Sequence, residues 1–315
     1  MKYAQHSFYA LLMFMLLGLV TAQAADRYKP FVLGSVSTGD LNAKVSEVKG
    51  ALVSQGFKVI GEYEPYADTR IVIVTNNDLL KIAAANKRGG YAAVQNVSIV
   101  KTGGKVQVSY PNPIYFQYAY RLKGSLEPVA QKLKNALGAQ ETFGSKKGLT
   151  AKKLKKYHYT FGMEYYDDPY KFKTYKNHGE AVKAVSSGLS AGKGGLGEIY
   201  RLDIPGTNMT LFGVSMKAGK DGNKYMDDAF QMGIIDFADM KHAAYLPYTI
   251  LVNDKQVEAL NMRFRAAVHF PDLKMAGKNS FMKVMKSPGA IEGSMWELFG
   301  GKPKEKKGSD DFFTM

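Results

Sequence analysis

The sequence predicts an α+β fold of two similar domains, and three observations carry that reading. Stretches of helical periodicity alternate with β-rich runs, the same order of elements recurs along the chain, and each recurrence closes on a hairpin. The first copy spans residues 31–122 and the second 170–273. In the first, Leu41, Val45, Val48 and Leu52 recur at spacings of three and four, as one face of a helix over 41–54 requires. Gly56 ends that helix. The matching helix of the second copy, over 179–189, ends at the glycine cluster 192–197. A strand follows in each copy, over 57–63 and 198–204. Ile71-Val72-Ile73-Val74 is then matched by Met209-Thr210-Leu211-Phe212-Gly213-Val214, and helical segments over 78–86 and 225–237 come next.

The closing hairpins complete the parallel. Val97-Ser98-Ile99-Val100 turns through Thr102-Gly103-Gly104 into Val106-Gln107-Val108, and Thr249-Ile250-Leu251-Val252 turns through Asn253-Asp254 into Val257-Glu258-Ala259. Gly-Gly and Asn-Asp both tolerate the positive φ of tight hairpin turns. The offset between copies is 211 − 71 = 140 at the β-rich run and 257 − 106 = 151 at the hairpin. The glycine- and lysine-rich loop over 217–223 is the natural site for those 11 extra residues.

The domain plan is therefore a leader over 1–24, a first copy over 25–122, a helix and basic linker over 123–169, a second copy over 170–273, and a C-terminal helix and mobile tail over 274–315. The linker is expected to hold a helix over 125–137, and the C-terminal part a helix over 278–285. The tail over 301–307 is rich in glycine and lysine and precedes Phe312 and Phe313, which either fray or dock on a partner.

Lys2, an apolar run over 10–20 and Ala22-Gln23-Ala24 form a secretory signal with cleavage after Ala24. The run is shorter than the ~20 residues a membrane span needs. Cleavage leaves 315 − 24 = 291 residues and points to the periplasm. The absence of cysteine excludes disulfides, thiol catalysis, iron–sulfur ligation and covalent haem attachment. The formal charge of +15 includes only Lys2 from the leader, so 15 − 1 = +14 remains. Much of it lies between Arg121 and Lys156, and Lys152, Lys153, Lys155 and Lys156 form its densest run. An exported protein meets anionic lipid head groups or acidic proteins, so this run is a candidate anionic-surface contact and no nucleic acid is expected. A solvated face that maintains solubility is the competing explanation.

One resemblance is specific enough to name. Leu246-Pro247-Tyr248-Thr249-Ile250-Leu251-Val252, a polar turn and Val257 resemble the end of domain-of-unknown-function family 302. Phe212-Gly213-Val214-Ser215 is similar to that family's Phe-Gly-Asn-Pro stretch, with the Asn-Pro replaced. The first copy offers Gly56-Phe57, Val74-Thr75-Asn76-Asn77, and Val106-Gln107-Val108-Ser109-Tyr110 leading to Asn112-Pro113, but lacks the Leu-Pro pair. The resemblance implies, for each copy, a small, mainly antiparallel sheet flanked by helices. It also implies pairing as dimers, so that a tandem copy would form an internal pseudo-dimer. It implies no reaction.

The search for chemistry is mostly negative. Gly188-Leu189-Ser190-Ala191-Gly192-Lys193-Gly194 resembles a phosphate-binding loop but is one residue short and lacks Ser/Thr after the lysine. His158, His178, His242 and His269 show no metal-binding spacing, and His269 follows an apolar run that suits a core or edge position. Asp167-Asp168 suits a turn and Asp227-Asp228 a helix's first turn. Methionines are dense in the second half, and Met282 with Met285 is the one close pair a copper-handling protein would use. Core filling is the competing explanation.

The best binding candidate is an aromatic strand of Tyr110, Tyr115, Phe116, Tyr118 and Tyr120, with Arg121 beside it. Alternation would put Phe116, Tyr118 and Tyr120 on one face, ready for an amphipathic or anionic ligand. The expectation is an exported, non-catalytic binding or accessory protein whose site lies between the copies, with no cofactor and no metal. Its partner would be a small ligand, an envelope protein or an anionic lipid surface. The alternative is an enzyme or copper-handling protein with a site built from residues distant in sequence.

Overall fold

The computed structural model describes residues 25–220 and 222–301, and the leader, Phe312 and Phe313 lie outside them. The first half contributes β1 (Phe31–Ser37), α1 (Leu41–Ser54), β2 (Lys58–Tyr63), β3 (Thr69–Thr75), α2 (Asn77–Ala84), β4 (Gln95–Thr102), β5 (Lys105–Pro111) and α3 (Pro113–Ala119). A connecting region holds α4 (Glu127–Leu137), β6 (Glu141–Phe143) and the single turn α5 (Ala151–Leu154). The second half contributes β7 (Tyr170–Thr174), α6 (His178–Ser190), β8 (Leu196–Asp203), β9 (Met209–Met216), α7 (Asp228–Ile235), β10 (Tyr248–Asn253), β11 (Gln256–Ala259) and α8 (Met262–His269), and α9 (Ser287–Glu297) follows.

Each half builds one antiparallel sheet, and the two sheets share a strand order. The first runs β2-β3-β4-β5-β1, with β6 added at its edge, and the second runs β8-β9-β10-β11-β7. Both carry a bulge on the strand after the first helix, between Val59 and Gly61 in one and between Glu198 and Tyr200 in the other. These bulges lie 199 − 60 = 139 residues apart, in agreement with the sequence offset in this part of the copies.

Local chemistry explains the elements. Asp40 caps α1 by accepting from the Ala43 amide at 2.9 Å, and Gly56, at φ 80°, lets the chain leave it. Leu41, Val45, Val48 and Leu52 then pack with Val129, Leu133 and Leu137 of α4 over one face of the first sheet. Alternation along β3 sends Val72 and Val74 to that face and Ile71 and Ile73 to the other, toward the second half.

The halves interlock reciprocally. The 3₁₀ turn Gly89–Ala92 of the first packs on β9 and β10, and its counterpart Ala243–Tyr245 packs on β3, β4 and β5. A Cβ on Gly90 would stand 2.5 Å from Leu251 Cδ1, so any larger residue here would make the Leu251 side chain move. Cross-links reinforce the contact: Arg88 pairs with Glu258 at 2.8 Å, Tyr63 donates to Asp228 at 2.7 Å, and the Tyr115 hydroxyl donates to the Val268 carbonyl at 2.7 Å.

Several expectations need correction. Residues 113–119 form a helix, not the continuation of an aromatic strand. Asn112 caps it with a 3.1 Å bond from the Ile114 amide, and Pro113 at its first position is preorganised for helix. Each half opens on a strand, β1 or β7, before its helix, and this strand closes the sheet beside the hairpin. The segment over 225–237 is a 3₁₀ turn, Lys224–Met226, and then α7, because Asp227 caps the helix at Phe230. The expected helix over 278–285 is only a 3₁₀ turn, Phe281–Val284. The substantial C-terminal helix is α9, whose glycines hide it from a propensity reading while Ile291 and Met295 are buried. No helix among the described residues is long and apolar enough to cross a membrane.

Candidate functional site

A cavity with room for about 60 Å³, enough for a few water molecules or the head of a small ligand, opens where the halves meet. Matching elements furnish its walls. The last strand of each hairpin leads through an asparagine cap, Asn112 or Asn261, into α3 or α8, an offset of 261 − 112 = 149. At that offset Phe116 corresponds to Arg265 and Tyr120 to His269, and all four line the cavity. The 3₁₀ turns supply Tyr91 and Tyr245, which correspond at 245 − 91 = 154. Positions one helical turn apart on α8 therefore place a guanidinium and an imidazole where α3 has two aromatic rings.

Arg265 dominates the site. Its residue is only 5% exposed, and its guanidinium lies 3.8 Å from the Tyr245 ring centroid and 4.3 Å from that of Tyr248. Nη2 donates to the Pro247 carbonyl at 2.8 Å and to the Tyr245 carbonyl. Nη1 is buried and has no partner, and among the described residues Arg265 makes no ion pair. A buried charge is costly unless it is paired or hydrogen-bonded, and besides these two carbonyls the Arg265 charge acts on the buried Asp228 carboxyl, favouring its ionised form.

His269 stands over Phe116, with ring centroids 4.5 Å apart, and its Nδ1 lies 2.7 Å from the Arg265 carbonyl. A carbonyl only accepts, so Nδ1 carries the proton and Nε2 is left as an acceptor. Burial, and then the Arg265 charge, push the imidazole well below its usual range, so it is neutral. Burial also raises the phenols of Tyr91 and Tyr245, which remain donors. The Tyr91 hydroxyl, Gln95 Oε1 and Asn96 Oδ1 are buried without hydrogen-bond partners, and the Tyr245 hydroxyl lies within hydrogen-bonding reach of the Arg265 guanidinium.

Of the residues picked from sequence, Phe116 and Tyr120 reach this cavity. Tyr110 faces the opposite side of the first sheet and donates to the Gly138 carbonyl at 2.9 Å. Tyr115 is engaged with Val268, and Tyr118 packs against Tyr28 at 5.2 Å. Arg121 is paired with Asp167 at 2.9 Å. Lys152, Lys153, Lys155 and Lys156 are all exposed around α5, and the Lys155 ammonium lies 5.7 Å from the Tyr118 ring. Met282 and Met285 are exposed.

Sequence reasoning missed Arg265, Tyr91, Gln95, Asn96 and Tyr245. Aligning the two asparagine caps would have exposed the first, a charge opposite Phe116 within the otherwise apolar run Ala266-Ala267-Val268.

A second buried pair lies at the same junction. His242 Nδ1 is 2.9 Å from Asp236 Oδ1, inside a box of Phe31, Phe143 and Phe270. Asp236 also accepts from the His242 amide at 2.9 Å, which closes the loop between them. Its geometry is that of a loop staple. No group of three or more His, Cys, Asp or Glu side chains arranged to hold a metal occurs among the described residues. No protein-family model matches the chain, and no curated protein and no solved structure matches it either.

Proposed function

We propose that this chain is an exported, non-catalytic binding protein of the periplasm that holds a small anionic ligand between two divergent copies of one domain. The copies would be relatives of family 302 joined as an internal pseudo-dimer. The shared strand order, the matching bulges and the reciprocal 3₁₀ turns support that reading. The leader sequence supports export. The observation that carries the function is Arg265, a buried positive charge among the residues lining the cavity, which makes no ion pair among the described residues and which an anion would neutralise. Native mass spectrometry of the protein from its own periplasm tests this directly. An excess mass that Arg265→Gln abolishes is the expected result. A bare mass, together with no shift in Tm from any small anion, overturns it.

A second reading concerns the surface. Phe161 is 98% exposed five residues beyond Lys156 (161 − 156), and the lysines of α5 and its exit are exposed. An aromatic wedge beside a basic run suits an anionic bilayer. Co-sedimentation with anionic vesicles, weakened by salt and by Phe161→Ser, is expected. Equal binding to neutral vesicles would overturn it.

A further inference from the structure

Two exposed methionines adjoin the loop that carries Phe161, although 282 − 161 = 121 residues separate the nearer of them from it in the chain. Tyr157 and Tyr159 pin that loop to the second half. Their hydroxyls donate to the Ala267 carbonyl at 2.9 Å and to the Leu273 carbonyl at 3.2 Å. The Tyr159 ring stacks on Phe281, with centroids 5.6 Å apart, and Phe161 follows two residues later (161 − 159) in solvent. Phe281 opens the 3₁₀ turn Phe281–Val284. Phe281 and Val284 are buried, whereas Met282 and Met285 are 52% and 38% exposed. At three residues per turn, the two methionines share its outer side.

Charge along this segment is of one sign. Lys274, Lys278, Lys283 and Lys286 are exposed, and no Asp or Glu occurs between Leu273 and Ile291. Thioethers alone would suit Cu(I), but four ammonium groups in the same segment oppose a metal cation. They complement phosphate instead. Resting on the bilayer reading above, we propose that the contact face is composite. Phe161, Met282 and Met285 enter the head-group region of an anionic bilayer, and the lysines of α5, its exit and residues 274–286 meet the lipid phosphates. Apolar side chains protruding from two chain segments suit a deformable surface, whereas a folded protein partner would need hollows to receive them.

Co-sedimentation of the purified protein with mixed phosphatidylglycerol and phosphatidylcholine vesicles tests the composite face. Met282→Ser combined with Met285→Ser should weaken binding about tenfold, the worth of partly burying two apolar side chains. Lys278→Gln and Lys283→Gln should each weaken it about fivefold, and this difference should vanish at about 1 M salt. The Tm should stay unchanged in all of these variants, because the four side chains are exposed. Loss of binding in Phe161→Ser but full binding in the methionine variant overturns the composite face and leaves the bilayer reading standing. No binding of the unaltered protein to anionic vesicles overturns both. Binding that appears only after residues 309–315 are deleted would give the face to the chain's own Asp310-Asp311-Phe312-Phe313 segment, and the bilayer would no longer be its occupant.

Discussion

The two halves share a strand order but meet each other with different chemistry. On α3 the first half presents Phe116 and Tyr120 to the junction, and on α8 the second presents Arg265 and His269 from corresponding positions. The same division recurs at another pair of helices. In α2 the cap and first residue are the amides Asn76 and Asn77, whereas α7 has the carboxylates Asp227 and Asp228. Asn77 is exposed, but Asp228 is 2% exposed and accepts from Tyr63 of the first half. The strand order, the bulge after the first helix and the asparagine caps of α3 and α8 are common to both halves. At the junction the matching positions differ in chemistry. A shared strand order with different facing residues becomes one asymmetric site, aromatic on one wall and carrying Arg265 and His269 on the other.

If the halves depend on each other, damage in one should unfold both. Phe31 of β1 is fully buried, with ring centroids 5.5 Å from Phe143, 5.1 Å from His242 and 5.8 Å from His269. Phe31→Ala should cost about 3–5 kcal/mol. Urea unfolding followed by probes in each half should still give one transition, shifted to lower denaturant. Two separated transitions, with only the first half shifted, would show the halves to be independent.

The carboxylate at α7 makes a second asymmetry measurable. Burial is the main cause that lifts the Asp228 carboxyl to about 7, against the opposing hydrogen bonds from Tyr63 and Met216. Its folded value lies above the ~3.9 of an unfolded aspartate, so the folded state binds its proton more tightly. That stabilising contribution is complete below about pH 4 and is lost as pH rises through about 7. Each unit in the steep part is worth roughly 1.4 kcal/mol, or on the order of 4 kcal/mol across the window. Asp228→Asn should flatten the stability profile between pH 4 and about 7, read by urea midpoints at each pH. An unchanged slope would place the pH dependence elsewhere.

Gly90 tests the interlock from the loop side. Gly90→Val would drive a side chain into Leu251 of the opposite sheet and should cost about 1–3 kcal/mol by overpacking. Pairing it with Leu251→Ala, which vacates the space, should recover part of that loss. Additive effects in this double-mutant cycle would deny the contact.

How much of this was legible in the sequence depends on what fixes each feature. Helical spacing in α1, the glycine exits and the hairpin turns are local, and they were readable. So was the repeat, because its slack falls in the loop over 217–223. The helix α3 was misread because its aromatic residues invite a strand, and only the Asn112-Pro113 start betrays the helix. The opening strands β1 and β7 are short, and their pairing beside β5 and β11 is a long-range fact. The site was the least legible part. Arg265 gains its meaning from burial between Tyr245 and Tyr248 and from residues far away in the chain, and a list of motifs contains none of this.

The smallest expected effect is also the most selective. Tyr63 reaches from β2 to Asp228, while at the bulge-derived offset of 139 the second half has Leu202, so this bond has no reciprocal counterpart. Tyr63→Phe removes one hydroxyl and leaves the ring packed, which should cost about 1 kcal/mol. The cost should fall mainly above pH 7, because the phenol donates best to the ionised carboxylate and favours that form. Without it, the Asp228 carboxyl should move higher still, and the loss of stability should extend to a more alkaline pH. Paired urea titrations of Tyr63→Phe and Asp228→Asn decide the point. The cost of Tyr63→Phe should shrink at pH 5 and lose its pH dependence in the Asp228→Asn background. A cost independent of pH would reduce Tyr63 to packing and remove the one-sided bond from the account of how the halves differ.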